Sequence, residues 1–265
     1  MEPSGIDFGC AVCGRQPSGK IDMARVIDRL EAYFAKNDMA GAGELLRYWR
    51  GEAAALGDLR GELSVCSEQM GYYRKMQQKE PAMEAVERGL ALIDALELGN
   101  TVAAATITLN AATTKKAFGD VQGALPLYGR TQAVYEKELK EDDVRFAGFW
   151  NNYALALTEL KQYKEAELAY HRALIILQER EDGAPDQAVT YVNLAELYAA
   201  WGGRSEEEMM ACMDAAWELL SDETLPKTAY VAYVRQKCAP AFTDFGFASR
   251  GKELTKWAEE QYAGT

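Results

Sequence analysis

One histidine, His171, occurs in the whole chain, and that count restricts its chemistry more than any other. Imidazole is the usual general base and a common zinc ligand near neutral pH, so triads and multi-histidine metal sites drop out and only carboxylate or thiolate schemes remain. The five cysteines, Cys10, Cys13, Cys66, Cys212 and Cys238, are odd in number and dispersed. That pattern fits free thiols in a reducing compartment rather than a disulfide framework. Cys10 and Cys13 have the spacing of half a zinc knuckle or of a redox pair, but no second closely spaced Cys/His pair completes a four-ligand site. The acidic run Glu206, Glu207, Glu208 follows Ser205, which reads as a helix start with a capping box rather than a cation site. Gly41-Ala42-Gly43 lacks the Lys-Ser/Thr of a phosphate loop. The expectation is a protein without catalytic residues, metal or cofactor.

More chemistry lies in three asparagines, Asn110, Asn152 and Asn193, separated by 42 and 41 positions. A primary amide offers donors and an acceptor together, so it can pair with the C=O and N–H of a peptide whatever its side chains. An equally sufficient reading is that each asparagine bonds a neighbouring helix, since Asn is a mediocre helix former and three in one phase need some reason.

The elements around the asparagines share their period. Asn110, Ala112, Gly119, Ala124 and Tyr128 lie 42 positions before Asn152, Ala154, Lys161, Ala166 and Tyr170, and Asn193, Ala195 and Gly202 lie 41 after Asn152, Ala154 and Lys161. Ala82 and Ala42 continue the step toward the N-terminus. A period of 40–42 holds two helices and two short turns, and Val189, Val192, Leu194, Ala195, Leu197 and Tyr198 form one broad apolar face. The expected helix pairs are 23–36 with 39–55, 58–76 with 79–97, 101–118 with 121–139, 143–160 with 162–180, 186–201 with 206–220, and 225–244 with 247–262. No run alternates with period two, so no sheet is expected. Pro240 should kink or split its helix near Ala239, and Phe242, Phe245 and Phe247 are read as terminal core. The domain reading is a flexible leader over 1–21 and a single helical-repeat domain over 22–265.

The series Ala154, Tyr163, Ala166, Tyr170, Ala173 resembles the tetratricopeptide repeat (TPR). The longer step, the segments Asn151-Asn152-Tyr153-Ala154 and KQYKEAELAYHRAL, and Pro126 are similar to the 42-residue repeats of kinesin light chains and their bacterial relatives. The resemblance is strongest over 100–220. It implies an all-α, right-handed superhelical solenoid of five to six antiparallel helix pairs, whose first helices line a groove that holds peptides or protein segments. In peptide-binding members the asparagine of the ladder faces that groove. Aligned positions add Arg74, Lys75, Thr106, Thr113 and Lys116 on earlier repeats, and Asn151, Leu155, Thr158, Glu159 and Glu196 on later ones. The carboxylate clamp of chaperone-docking relatives is not matched.

Charge narrows the partners. The chain of 265 residues has 29 basic and 41 acidic side chains, net −12, which disfavours nucleic acid and anionic membranes. Residues 1–130 carry net −2 and 131–265 net −10, so a peptide with an acidic part toward the N-terminal half would suit. The longest aliphatic run, Ala173 to Leu177, is far too short to span a bilayer, and the N-terminus lacks a signal-peptide pattern, so the chain reads as cytoplasmic. The leading reading is a non-catalytic peptide- or protein-binding scaffold, with homo-oligomerisation left open. The alternatives are a peptide-sensing regulator, whose usual DNA-binding domain would not fit before residue 22, and a cryptic enzyme on a helical scaffold.

Overall fold

The computed structural model describes residues 19–263. Among them are twelve helices and no strand: α1 (Met23–Ala35), α2 (Met39–Leu56), α3 (Leu59–Lys75), α4 (Lys79–Ala95), α5 (Val102–Ala117), α6 (Val121–Glu138), α7 (Val144–Glu159), α8 (Tyr163–Gln178), α9 (Ala184–Trp201), α10 (Glu206–Ser221), α11 (Ala229–Asp244) and α12 (Ala248–Ala263). The expected leader lies mostly, and Cys10 and Cys13 lie wholly, outside the described residues.

The period is written into the backbone of every turn from an odd to the following even helix. Each holds one residue in the left-handed region, at Asn37, Gln77, Gly119, Lys161, Gly202 and Gly246. Successive steps are therefore 40, 42, 42, 41 and 44 residues. Such a residue ends a helix by letting the next N–H return to a carbonyl of the last turn, as Asp38 does to Tyr33, Gln78 to Tyr73 and Gln162 to Leu157. Asn37, Gln77 and Lys161 take this conformation without being glycine, at a cost of about 1 kcal/mol each. Several even or odd helices then start on an aspartate: Asp38, Asp58 and Asp120 accept from the N–H of Gly41, Gly61 and Gly123. The other carboxylate oxygen of Asp58 accepts from Ile21 N–H at 3.0 Å, which ties the segment before α1 to the start of α3.

The described residues divide into two compact units, one of residues up to Phe34 with Asp38–Phe118, the other of Ala35–Asn37 with residues from Gly119 on. In the first, α3 packs on α2, α4 and α5, and the core joins Val26, Leu30, Leu46, Val65 and Tyr72. In the second, α7 packs on α8 and α9, and α9 on α10 and α11. Within the units, α3 thus touches α5, α7 touches α9 and α9 touches α11, odd helix against odd helix.

Two features of α11 differ from expectation. Helix α11 starts at Ala229 rather than 225, because Pro226 disfavours helix at Leu225 and Thr228 supplies the cap to Val231 N–H. It also runs unbroken through Pro240, against the expected split near Ala239. Pro240 and Gln236, the residue four before it, are both exposed, so water can serve the carbonyl that loses its helical N–H. Phe242 is fully buried and Phe245 and Phe247 pack against its cluster, as terminal core residues should. No described helix is long and apolar enough to cross a membrane.

Candidate functional site

In the first unit the solvent-facing stripe of α3 is Ser64, Ser67, Glu68, Gly71, Arg74 and Lys75, spaced by one helical turn between fully buried neighbours. Helix α5 answers with Thr106, Asn110, Thr113 and Lys116, all partly exposed. A short polar chain stitches the two: Asn110 Nδ2 donates to Ser67 Oγ at 3.0 Å, Thr114 Oγ1 to the Asn110 carbonyl at 2.7 Å, and Arg74 Nη1 to Thr114 Oγ1 at 3.4 Å. Lys75 lies over the Phe34 ring, 5.6 Å from its centre, and the surrounding protein draws its ammonium below the usual lysine range. The Thr113 hydroxyl oxygen is buried without a hydrogen-bond partner.

In the second unit Asn151 Nδ2 donates to Thr190 Oγ1 at 2.8 Å, joining α7 to α9, while its Oδ1 is buried without a partner. Asn152 donates to the Gly148 carbonyl of its own helix at 2.8 Å, and its backbone carbonyl accepts from Tyr128 OH at 3.1 Å. Asn193 is 8 % exposed, and among the described residues its amide has no hydrogen-bond partner. The three asparagines of the ladder share a sequence position and three different environments: one bridges helices, one turns back on its own helix, one is unpaired. Leu155 and Thr158 are partly exposed, and Glu159 and Glu196 exposed.

Two features of these faces escaped the sequence reading. Glu68 occupies the ladder position one period before Asn110, where a carboxylate replaces the amide; stepping back 42 residues would have found it. Gly71 and Gly148 interrupt α3 and α7 on the solvent side, and a Cβ at either would meet nothing within 4 Å. Neither has the positive φ that calls for glycine.

Other groups read from sequence have structural roles. Ser205 and Glu208 form the reciprocal capping box, with Glu208 N–H donating to Ser205 Oγ at 3.2 Å and Ser205 N–H to Glu208 Oε2 at 2.9 Å, which holds the Glu208 carboxyl below the usual range. His171 is exposed on α8. Among the described residues no three His, Cys, Asp or Glu side chains gather as metal ligands do. Cys66, Cys212 and Cys238 are free thiols, and burial pushes them up to about 11, 11 and 12. At pH 8 a thiol titrating near 11 is ionised to about one part in 10³. Iodoacetamide at pH 8 should therefore leave Cys66 and Cys238 unmodified in the native protein and alkylate both in urea, read by peptide mass spectrometry. Labelling of either thiol under native conditions at the denatured rate would contradict this.

Neither a protein-family model nor a curated protein matches the sequence. Solved structures do match. Nearly identical TPR-like repeats assigned to a kinesin light chain of Podosopora anserina superpose with a TM-score of 0.53 at 18% identity, covering 76% of this chain and 95% of that one. BtubC (BKLC) from P. vanneervenii superposes with a TM-score of 0.51 at 18% identity, covering 87% of this chain and 91% of that one. The helix pairs, the recurring left-handed turns and these superpositions together give the chain the fold of a TPR-like helical-repeat protein.

Proposed function

We propose that this chain is a non-catalytic scaffold that holds a peptide or protein segment against the solvent face of its odd helices, in the cytoplasm. The observation that carries this reading is the pair of open glycines, Gly71 and Gly148, on those faces. Glycine within a helix costs about 1 kcal/mol relative to alanine, and neither Gly71 nor Gly148 repays that cost through a turn or a close contact. Gly51 and Gly129, on even helices, are equally open. What sets Gly71 and Gly148 apart is their surroundings of amides, hydroxyls and cations, the groups that bind a peptide backbone and acidic side chains. Asn110 and Asn152 each keep a carbonyl oxygen for a ligand N–H, Asn151 and Thr113 carry buried unpaired oxygens, and Asn193 an unpaired amide. Arg74, Lys75 and Lys116 would select acidic character.

A bulky residue at the glycines tests the reading with little damage to the fold. Gly71→Trp and Gly148→Trp should each preserve helicity and melting temperature within a few degrees, because their side chains enter open space. As baits in a lysate of the source organism, beside the parent, they should retain a specific partner at least tenfold less. Equal retention by parent and both variants would remove the odd-helix faces as the binding site.

A further inference from the structure

Glu68 places a charge at the ladder position of α3, and its setting is unusual for a surface carboxylate. It is partly buried on α3 and makes no hydrogen bond or ion pair among the described residues. Desolvation raises its affinity for a proton above that of an ordinary glutamate. Removing a carboxylate from water without a partner is unfavourable, and the cost is recovered only when a cation or strong donors arrive. Structural carboxylates of the same unit show the contrast: Glu62 is held by Arg88 through two hydrogen bonds, and Asp58 by two backbone N–H groups.

The same stripe offers the opposite charge one step further on. Glu68, Gly71, Arg74 and Lys75 follow one another along the solvent side of α3, with the open glycine in the middle. Six to seven helical residues span about 10 Å. A peptide in the polyproline II conformation advances about 3.1 Å per residue and returns to the same face every third residue, so about the same distance separates side chains three residues apart on one face. We propose that the odd-helix face of the first unit recognises a bipolar peptide, with a lysine or arginine received by Glu68 and an aspartate or glutamate about three residues away received by Arg74 and Lys75. The groups across the stripe complete the clasp: Asn110, bonded to Ser67 beside Glu68, leaves its Oδ1 for the peptide backbone between the two charges. This inference rests on the peptide-binding reading of the preceding section and adds the sign and spacing of the ligand's charges.

The test selects a random displayed heptapeptide library on the parent protein, Glu68→Gln, Lys75→Gln and Gly71→Trp. Parent selections should be enriched for a basic and an acidic residue about three apart. Glu68→Gln should lose the basic preference and keep the acidic one, Lys75→Gln should weaken the acidic preference, and Gly71→Trp should select nothing. A synthetic peptide from the parent pool should bind Glu68→Gln at least tenfold more weakly, and its Lys→Ala version should bind parent and Glu68→Gln alike. Enrichment of acidic residues alone, unchanged by Glu68→Gln, overturns the bipolar assignment and leaves the peptide-binding reading standing. No enrichment on the parent, or enrichment that survives Gly71→Trp, overturns both. Because Glu68 holds nothing in place, Glu68→Gln should melt at or above the parent; a lower melting temperature would make it a structural residue and also overturn the assignment.

Discussion

Phe149→Ala is expected to lower the thermal unfolding midpoint by about 10 °C. Phe149 is fully buried on α7, and four rings surround it: Trp150 at 4.8 Å, Tyr153 at 5.7 Å, and Tyr128 and Tyr135 of α6 at 6.3 Å between centres. Three of the four contacts are edge-to-face, the arrangement the ring quadrupoles favour. Truncating such a residue removes its transfer free energy and leaves a cavity that aromatic neighbours on two rigid helices cannot close, together about 3–5 kcal/mol. In a domain of this size each kcal/mol shifts the midpoint by about 2–4 °C. Phe149→Leu, which keeps most of the volume, should cost about a third as much. Circular dichroism reads the helices as a whole, and differential scanning calorimetry shows whether the loss falls in one transition, since helical repeats can unfold in parts. A shift below about 3 °C would mean that α6 and α7 owe little to this cluster.

Arg88→Ala is expected to cost about 2–3 kcal/mol in urea unfolding, more than Glu62→Gln at the other end of the same pair. Arg88 Nε and Nη2 donate to the two carboxylate oxygens of Glu62 at 2.7 and 2.6 Å. The Glu62 side chain is 4% exposed and that of Arg88 41%. Removing the arginine strands a carboxylate in the α3–α4 interface, which costs about 3–5 kcal/mol when fully enclosed. The open side toward Arg88 admits water, and Glu62 lies in the first turn of α3, where the helix N–H groups favour negative charge, so the lower figure applies. Glu62→Gln keeps the shape and carries no stranded charge. Replacing both residues by methionine should return the stability to within about 1 kcal/mol of the parent, because the desolvation penalty then vanishes with the attraction. A double variant as unstable as Arg88→Ala would show that shape, not charge, sets the cost.

The sequence by itself determined the architecture. Helix starts and stops are local, written in Asp and Ser caps and in left-handed turn residues. The contact that stacks one pair on the next must recur, so the small residues at Ala82, Ala124 and Ala166 and the aromatics at Tyr128 and Tyr170 repeat with the period and can be read by alignment of the chain with itself. The helices depart from expectation at two places in α11, each for a local reason: Pro226 disfavours helix at Leu225 and Thr228 supplies the cap, while at Pro240 the deprived carbonyl of Gln236 is open to water and the helix continues.

The site was legible only as a set of positions. Asn110, Asn152 and Asn193 are equivalent by number, yet their partners are Ser67 on the preceding odd helix, Gly148 on the same helix, and none among the described residues. A hydrogen bond depends on rotamer and on which residue the neighbouring helix presents some 40 positions away, and neither repeats when that neighbour changes from Ser67 to Leu109 one period later. For the same reason no sequence pattern announced that Glu62 is paired and Glu68 is not. Both are glutamates on α3, and only the packing of α4 brings a guanidinium to the first and leaves the second on the face turned to solvent.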